Sequence, residues 1–515
     1  MMDRQKEGIS LNKRKELYGK ILKKSPFLYE TVSHGKEPEN PSGLAVRYVL
    51  APALVNFVLW VLAEAKKRGI QRLYFLARDG YLMYHTACWL CERMGLTIQC
   101  RYLYCSRYSV RIPLYHLDME QALEFICRGG LFVTPERIMD RSGLTREEGK
   151  RILEPLAPAY SPRRILSYRE LEDLKRRLWT CPQFLKLAEK HSREKFNTFC
   201  GYLKQEGLLE EIPSAFVDSG WLGSMQKLLN QACTLLGRKE QIQGFYWGLY
   251  EFPKECCQRE YHCYFFSPFH GLTYKLFFNN CLFEAVFTAP HGMTLGYEKK
   301  DGYVPILGSQ EKKRQVFLSD LKDVLEEYVS ALSEKYSLFD MRKEALKNRR
   351  IIKRLCFFFM SRPTIEEADF FGNLSFSDDV LEGQKEKLAA PLSEEALKES
   401  YRLFRIFKRY RERSVYKKMG STKERRKNSA AAEKKIKCSL KWENKRKKDE
   451  PANAGIKKKP IKNTGTDNKS KESAWFEGSA VLGGKGSAAL LRRYTLYKFL
   501  RLYFLQLTQK RRAGD

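Results

Sequence analysis

Between residues 40 and 310, short and strongly apolar runs alternate with longer stretches whose apolar positions recur at helical spacing. That alternation is the βα pattern of a parallel sheet. The most apolar run, 48–63 (YVLAPALVNFVLWVLA), has 16 residues and is interrupted by Pro52 and Asn56. It falls short of the ~20 residues that cross a bilayer, so it predicts a buried helix. Gly69 follows the helical AEAKK segment as a C-cap. A strand at 72–77 (RLYFLA), a helix at 81–94 and a strand at 99–105 (QCRYLYC) come next. Residues 118–210 read as mainly helical, with breaks at Pro135, Gly143, Pro155, Pro158, Pro162 and Pro182, and predict a helical cap inserted between sheet strands. Strands then resume at 214–217 (SAFV) and 243–250 (QGFYWGLY), on either side of a helix at 222–236.

The pattern changes towards the C-terminus. Residues 311–410 read as helices rich in i,i+4 charges. Segment 414–472 is Lys, Asn, Ser and Gly with few apolar residues, and predicts a disordered basic linker. In 490–510 (LLRRYTLYKFLRLYFLQLTQK), Leu496, Phe499, Leu500, Tyr503, Phe504 and Leu507 share one helical face. With flanking Arg and Lys, that segment predicts an amphipathic helix lying on an anionic membrane surface. The expected organisation is therefore a basic helical N-terminal extension (1–40), an α/β core (41–310), a helical region (311–413), the linker, and a tail (473–515).

Length and charge refine this picture. At 515 residues, roughly three structural units are expected. A hydrophobic fraction of 43% excludes wholesale disorder. The net charge of +33 is unevenly placed: residues 401–515 hold 34 basic and 10 acidic side chains, a net +24, which leaves +9 for the first 400. Such a tail binds nucleic acid, if at all, through non-specific charge with steep salt dependence. The N-terminal MMDRQKEGISLNKRKEL carries no apolar core, so no signal peptide is expected. The 14 cysteines follow no disulfide or zinc-finger spacing, and the Cys88/Cys91 C-x-x-C pair stands on a helix without a second pair. The expected compartment is a reducing cytoplasm, with the inner membrane surface as a peripheral site.

Candidate chemistry lies where strands end, because open α/β sheets bind ligands beyond the carboxyl ends of their strands. Three ends qualify: Ala77-Arg78-Asp79-Gly80, then Cys105-Ser106-Arg107, then Asp218-Ser219-Gly220-Trp221-Leu222-Gly223-Ser224. On a parallel sheet they share one edge. Asp79 and Asp218 are then placed to share Mg²⁺, because two nearby carboxylates repel unless a cation sits between them. Arg78 and Arg107 suit bidentate phosphate contacts, and the backbone amides of Gly220–Ser224, opening a helix, predict an anion cradle. Glu284 and His291 are weaker candidates for the same crevice. His262 and Cys263, beside Cys256 and Cys257, are read as a loop without a ligand role. Trp221 and Trp247 are read as core anchors, and the Glu366-Glu367 pair as a solvated helical turn.

The segments LYFLARDGYLM (73–83), YLYCSR (102–107) and AFVDSGWLGSMQKLL (215–229) resemble bacterial hydrolases of the haloacid dehalogenase-like superfamily associated with cell-surface polysaccharide synthesis. So do FEAVFTAPHGMTLGY (283–297) and RPTIEEADFFGNLSFSDD (362–379), and the resemblance spans about 45–380. It implies a Rossmann-like parallel sheet with a helical cap, and Mg²⁺-dependent hydrolysis or transfer of phosphate on a phosphorylated sugar, nucleotide or glycan. Laid on the family's Asp-x-Asp-Gly motif, Ala77 falls at the nucleophile, Asp79 at the general acid and Gly80 at the glycine. In a shifted register Asp79 is itself the nucleophile. Ser106 matches the phosphate-binding Ser/Thr, and Asp218 the acidic metal motif, with Ser219 in the partner position. No lysine is assigned. Two other classes remain open: a non-catalytic scaffold that binds phosphate or nucleotide-sugar, which Ala77 favours, and a phosphoribosyltransferase-like enzyme, whose paired acids and threonines are missing here.

Overall fold

The computed structural model describes residues 2–129, 133–156, 161–309, 312–376 and 386–388. The expected linker at 414–472 and amphipathic segment at 490–510 lie outside the described residues.

The chain folds as mixed α/β. Helix α1 (Met2–Leu22) precedes a continuous helical run, α2 (Pro41–Lys67), which leads into strand β1 (Arg72–Leu76). Helix α3 (Gly80–Arg93) and β2 (Gln99–Leu103) follow, and then a one-turn helix α4 (Arg107–Arg111). After a helical insertion, a long helix α5 (Pro182–Gln205) returns to the sheet at β3 (Ser214–Trp221). Helix α6 (Ser224–Leu235), β4 (Gln243–Leu249) and β5 (Tyr261–Phe266) complete a five-stranded sheet of order β2-β1-β3-β4-β5. Every pairing in it is parallel.

Alternation along the strands explains why both faces are covered. On β1, Leu73 and Phe75 join the core built by α2 and α3, whereas Tyr74 and Leu76 join a second core with Phe199, Tyr202 and Leu203 of α5 and Leu229 and Ala232 of α6. The apolar α2 is long enough to cross a membrane, yet its most hydrophobic window is wholly buried inside the protein, as the sequence led us to expect. Helices at Met119–Ile126, Pro135–Ser142, Arg146–Leu156 and Tyr168–Trp179 form the insertion between β2 and β3. They hold a core of their own, with Ile138, Leu174 and Leu178 closing on Phe184 of α5.

Three expectations are corrected. Residues 261–266 are strand, not loop. YHCYFF pairs with β4, and His262 hydrogen-bonds Gln243 through Nε2 at 3.0 Å. Strand β3 runs on through Trp221 instead of ending at Val217, because Gly220 and Trp221 still pair with Gly248 and Leu249 of β4. Glu367 is not solvated. It is fully buried and receives Arg14 Nε at 3.0 Å, Arg14 Nη2 at 2.7 Å and the Tyr18 hydroxyl at 2.7 Å, which fastens α1 to the helix Ile365–Gly372.

Candidate functional site

The strand order reverses between β1 and β3: from β1 the chain first moves outwards to β2, then returns to the other side at β3. Such a switch point opens a crevice at the carboxyl edge, since the two crossover connections leave in opposite directions. Asp79 and Asp218 both lie there.

Ala77 extends the β1–β2 ladder by donating its N–H to Leu103 O at 3.0 Å, and Asp79 then sits at the N-cap position of α3. The glycine after it is sterically required: a Cβ on Gly80 would stand 2.9 Å from the carbonyl carbon of Phe75. Asp218 lies within β3, three residues before its end. Alternation sends neighbouring side chains to opposite faces of that strand. Ser219 therefore takes the α3 side, where its hydroxyl donates to Asp79 Oδ2. Asp218 takes the other side, within electrostatic reach of Cys105 and Arg107. Residues 140 apart in sequence thus meet directly.

Burial, and then the negative charge of Asp79, push the Asp218 carboxyl up to about 7, against backbone hydrogen bonds from Ser219 and Gly220 and the charge of Arg107. Asp218 keeps part of its surface accessible despite its dense surroundings. Asp218 lies close enough to Asp79 to feel its charge, and a carboxyl that holds its proton near neutrality beside a second one can serve in an acid/base pair or share a cation with it. Among the described residues no three His, Cys, Asp or Glu side chains gather closely enough to enclose a metal. Mg²⁺ does not demand that, because it binds through one or two carboxylates and keeps several waters. The donor set fits Mg²⁺ in this sense.

The other expected residues divide. Arg78 shares the neighbourhood of Tyr102 with Asp79, and Arg107, exposed, begins α4 beside Asp218. Ser106 is at the edge, but its hydroxyl is already engaged. It accepts from Ser109 N at 2.9 Å as the cap of α4 and donates to Thr294 O at 2.6 Å. Its one proton is therefore not free for a phosphoryl oxygen. The expected cradle is also altered, since the Gly220 amide donates to the Asp218 carboxylate and the Leu222 amide to Gly220 O at 3.0 Å. Gly223, with φ +61°, occupies the N-cap position of α6 and Ser224 opens that helix.

Trp221 is buried as expected, but it does more than fill space. Its backbone is left-handed (φ 68°), after Gly220 at φ 105°, and its indole N–H donates to Glu284 on α7 (Asn280–Phe287). A Cβ on Gly220 would lie 2.6 Å from Gly248 O. His291 joins the same edge: Nδ1 donates to Gly292 O at 2.8 Å, so Nε2 accepts from the Tyr102 hydroxyl at 2.7 Å. Tyr102 was not singled out from sequence, and Ser219 was named only as the residue in the partner position of the acidic metal motif, not as a partner of Asp79. Tyr102 lies inside an apolar strand, and the role of Ser219 depends on a partner carried by another strand-helix unit.

No protein-family model matches the chain, and no curated protein matches it.

Proposed function

We propose that the chain is a Mg²⁺-dependent phosphohydrolase or phosphotransferase of the haloacid dehalogenase-like class, acting on a phosphorylated sugar, nucleotide or glycan intermediate. The observation that carries this reading is the hydrogen bond from Ser219 to Asp79 at the switch point of the parallel sheet, with Asp218 near enough to feel the charge of Asp79. Strand order 2-1-3-4-5 with helices on both faces supports the finer description of a Rossmann-like, doubly wound core. Phosphoryl transfer depends mainly on positioning and on neutralising the equatorial oxygens. In this reading Mg²⁺, held by the two carboxylates and water, supplies charge neutralisation. Arg78 and Arg107 add bidentate contacts to the phosphate. Asp79 acts on the reacting phosphorus or its leaving group, and Ser219 fixes the Asp79 rotamer.

A second reading rests on one position. Ala77 is the last residue paired along β1, the place where the resemblance expects a nucleophile, and this favours a phosphate-binding protein without turnover. Assaying phosphate release from a broad panel of phosphate esters with Mg²⁺ separates the two. The hydrolase predicts metal-dependent release that falls at least a hundredfold in Asp79→Asn and in Asp218→Asn. Metal binding with no release on the panel supports the binding protein.

A further inference from the structure

Helix α3 carries Asp79 at its start and the C-x-x-C pair Cys88/Cys91 towards its end. The structure gives that pair a third member. Cys100 of β2 lies with its sulfur 4.0 Å from Cys91 Sγ, and it also hydrogen-bonds Cys88. Residues 88 and 91 are one helical turn apart, so both face the edge strand. Cys88 and Cys100 keep part of their surface exposed, while Cys91 is buried. These sulfurs play no part in the carboxylate site.

We propose that Cys88 and Cys100 form a thiol–disulfide exchange site whose co-substrate is a low-molecular-weight disulfide such as oxidised glutathione. The Cys88 thiolate attacks one sulfur of the small disulfide. The mixed disulfide forms at Cys88, and one glutathione leaves as thiolate and takes up the proton that Cys88 released. Cys100 then gives up its proton and attacks the Cys88 sulfur, which makes the Cys88–Cys100 bond and expels the second glutathione as a thiol. Two protein thiols are oxidised and one small disulfide is reduced to two thiols.

The surroundings favour Cys88 as the attacking group. Hydrogen bonds from Cys100 and Tyr84 oppose the effect of burial and bring its thiol down to about 7, whereas Cys100 is raised and stays the donor. Thiols with pKa near ambient pH are the most effective attackers. By contrast, burial pushes Cys105, Cys127, Cys233 and Cys356 up, as for structural cysteines that act as small hydrophobes. The new bond would pin α3 to β2, the two elements whose ends carry Asp79 and Ser106.

The test uses the full chain, with no assumption about phosphate chemistry. After incubation with oxidised glutathione, free thiols are alkylated in acid and the protein is digested with trypsin. Cleavage after Arg78, Arg93 and Arg101 places Cys88 and Cys91 on peptide 79–93 and Cys100 on 94–101. The proposal predicts these two peptides joined by a reducible bond. It also predicts that Cys91→Ala keeps the 79–93/94–101 cross-link, since the bond runs from Cys88. The double variant Cys91→Ala/Cys100→Ala should trap glutathione on 79–93, because neither neighbouring thiol is left to resolve the mixed disulfide. Loss of the cross-link in Cys91→Ala would overturn the proposal. Cys257→Ala, at an exposed cysteine remote in sequence from the cluster, should leave the cross-link in place and serves as the folded control. Recovery of 79–93 and 94–101 fully alkylated, while Cys257 carries glutathione, would overturn the proposal. So would a bond confined to peptide 79–93.

Discussion

Asp218 is the residue whose chemistry is most changed by its place in the fold. Its carboxyl is raised to about 7 by burial and by Asp79. An acid with a folded pKa above its unfolded value binds more protons when folded, so the stability this contributes is full below about pH 4 and is lost as pH rises through 7. We expect metal-free protein to lose melting temperature between pH 5 and 8, and Asp218→Asn to flatten that slope; equal slopes in thermal melts would contradict the assignment. Ser106 tests the site from the other side. With its hydroxyl engaged as a helix cap, Ser106→Ala should cost about 1 kcal/mol of stability. Phosphate release should then change only a few-fold. A hundredfold loss of turnover in a stable variant would make Ser106 a phosphate ligand after all.

Elements place these residues, and their sequence patterns were unevenly informative. Strands β1 to β4 were legible because runs such as RLYFL and QGFYWGL are apolar on both faces and bounded by glycine or polar turns. β5 was not: half-exposed His262 and Cys263 sit side by side near its start, the strand directly follows Cys256, Cys257, Gln258, Arg259 and Glu260, and its pairing with β4 is set by tertiary contact. The hairpin of β6 (Thr294–Lys299) and β7 (Tyr303–Leu307) was hidden in the same way by Gly296, Glu298 and Pro305. The turn from β1 into α3 was legible as a site, and its steric demand is checkable. Gly80→Ala would place a methyl group 2.9 Å from the Phe75 backbone, which cannot swing aside as a side chain would. We expect about 1–3 kcal/mol of destabilisation in urea melts, as for other overpacked positions, and a tolerated Gly80→Ala would show that the turn has more room.

At the scale of the whole molecule, the contacts that matter most join parts of the chain that no local pattern connects. Glu367 looked solvated because its partners, Arg14 and Tyr18, lie about 350 residues away. Removing one member of a buried pair leaves an uncompensated charge, so Glu367→Ala should cost about 3–5 kcal/mol. Replacing Arg14 and Glu367 together with apolar residues should cost much less; equal losses by chemical denaturation would mean that α1 is held elsewhere. The candidate site is the same kind of long-range product. Each strand end could be found from sequence, and the parallel topology put them on one edge. The hydrogen bond from Ser219 to Asp79 depends on how β1 and β3 lie side by side, whereas the use of the Gly220 amide on Asp218 is local to β3. The central claim, that Asp79 and Asp218 share one divalent cation, is tested most directly by calorimetric titration of Mg²⁺ into the unmodified protein, Asp79→Asn and Asp218→Asn. The account predicts one Mg²⁺ per chain in the first, with a matching rise in melting temperature, and loss of binding in both variants while the fold persists. Mg²⁺ affinity unchanged in both variants would contradict it.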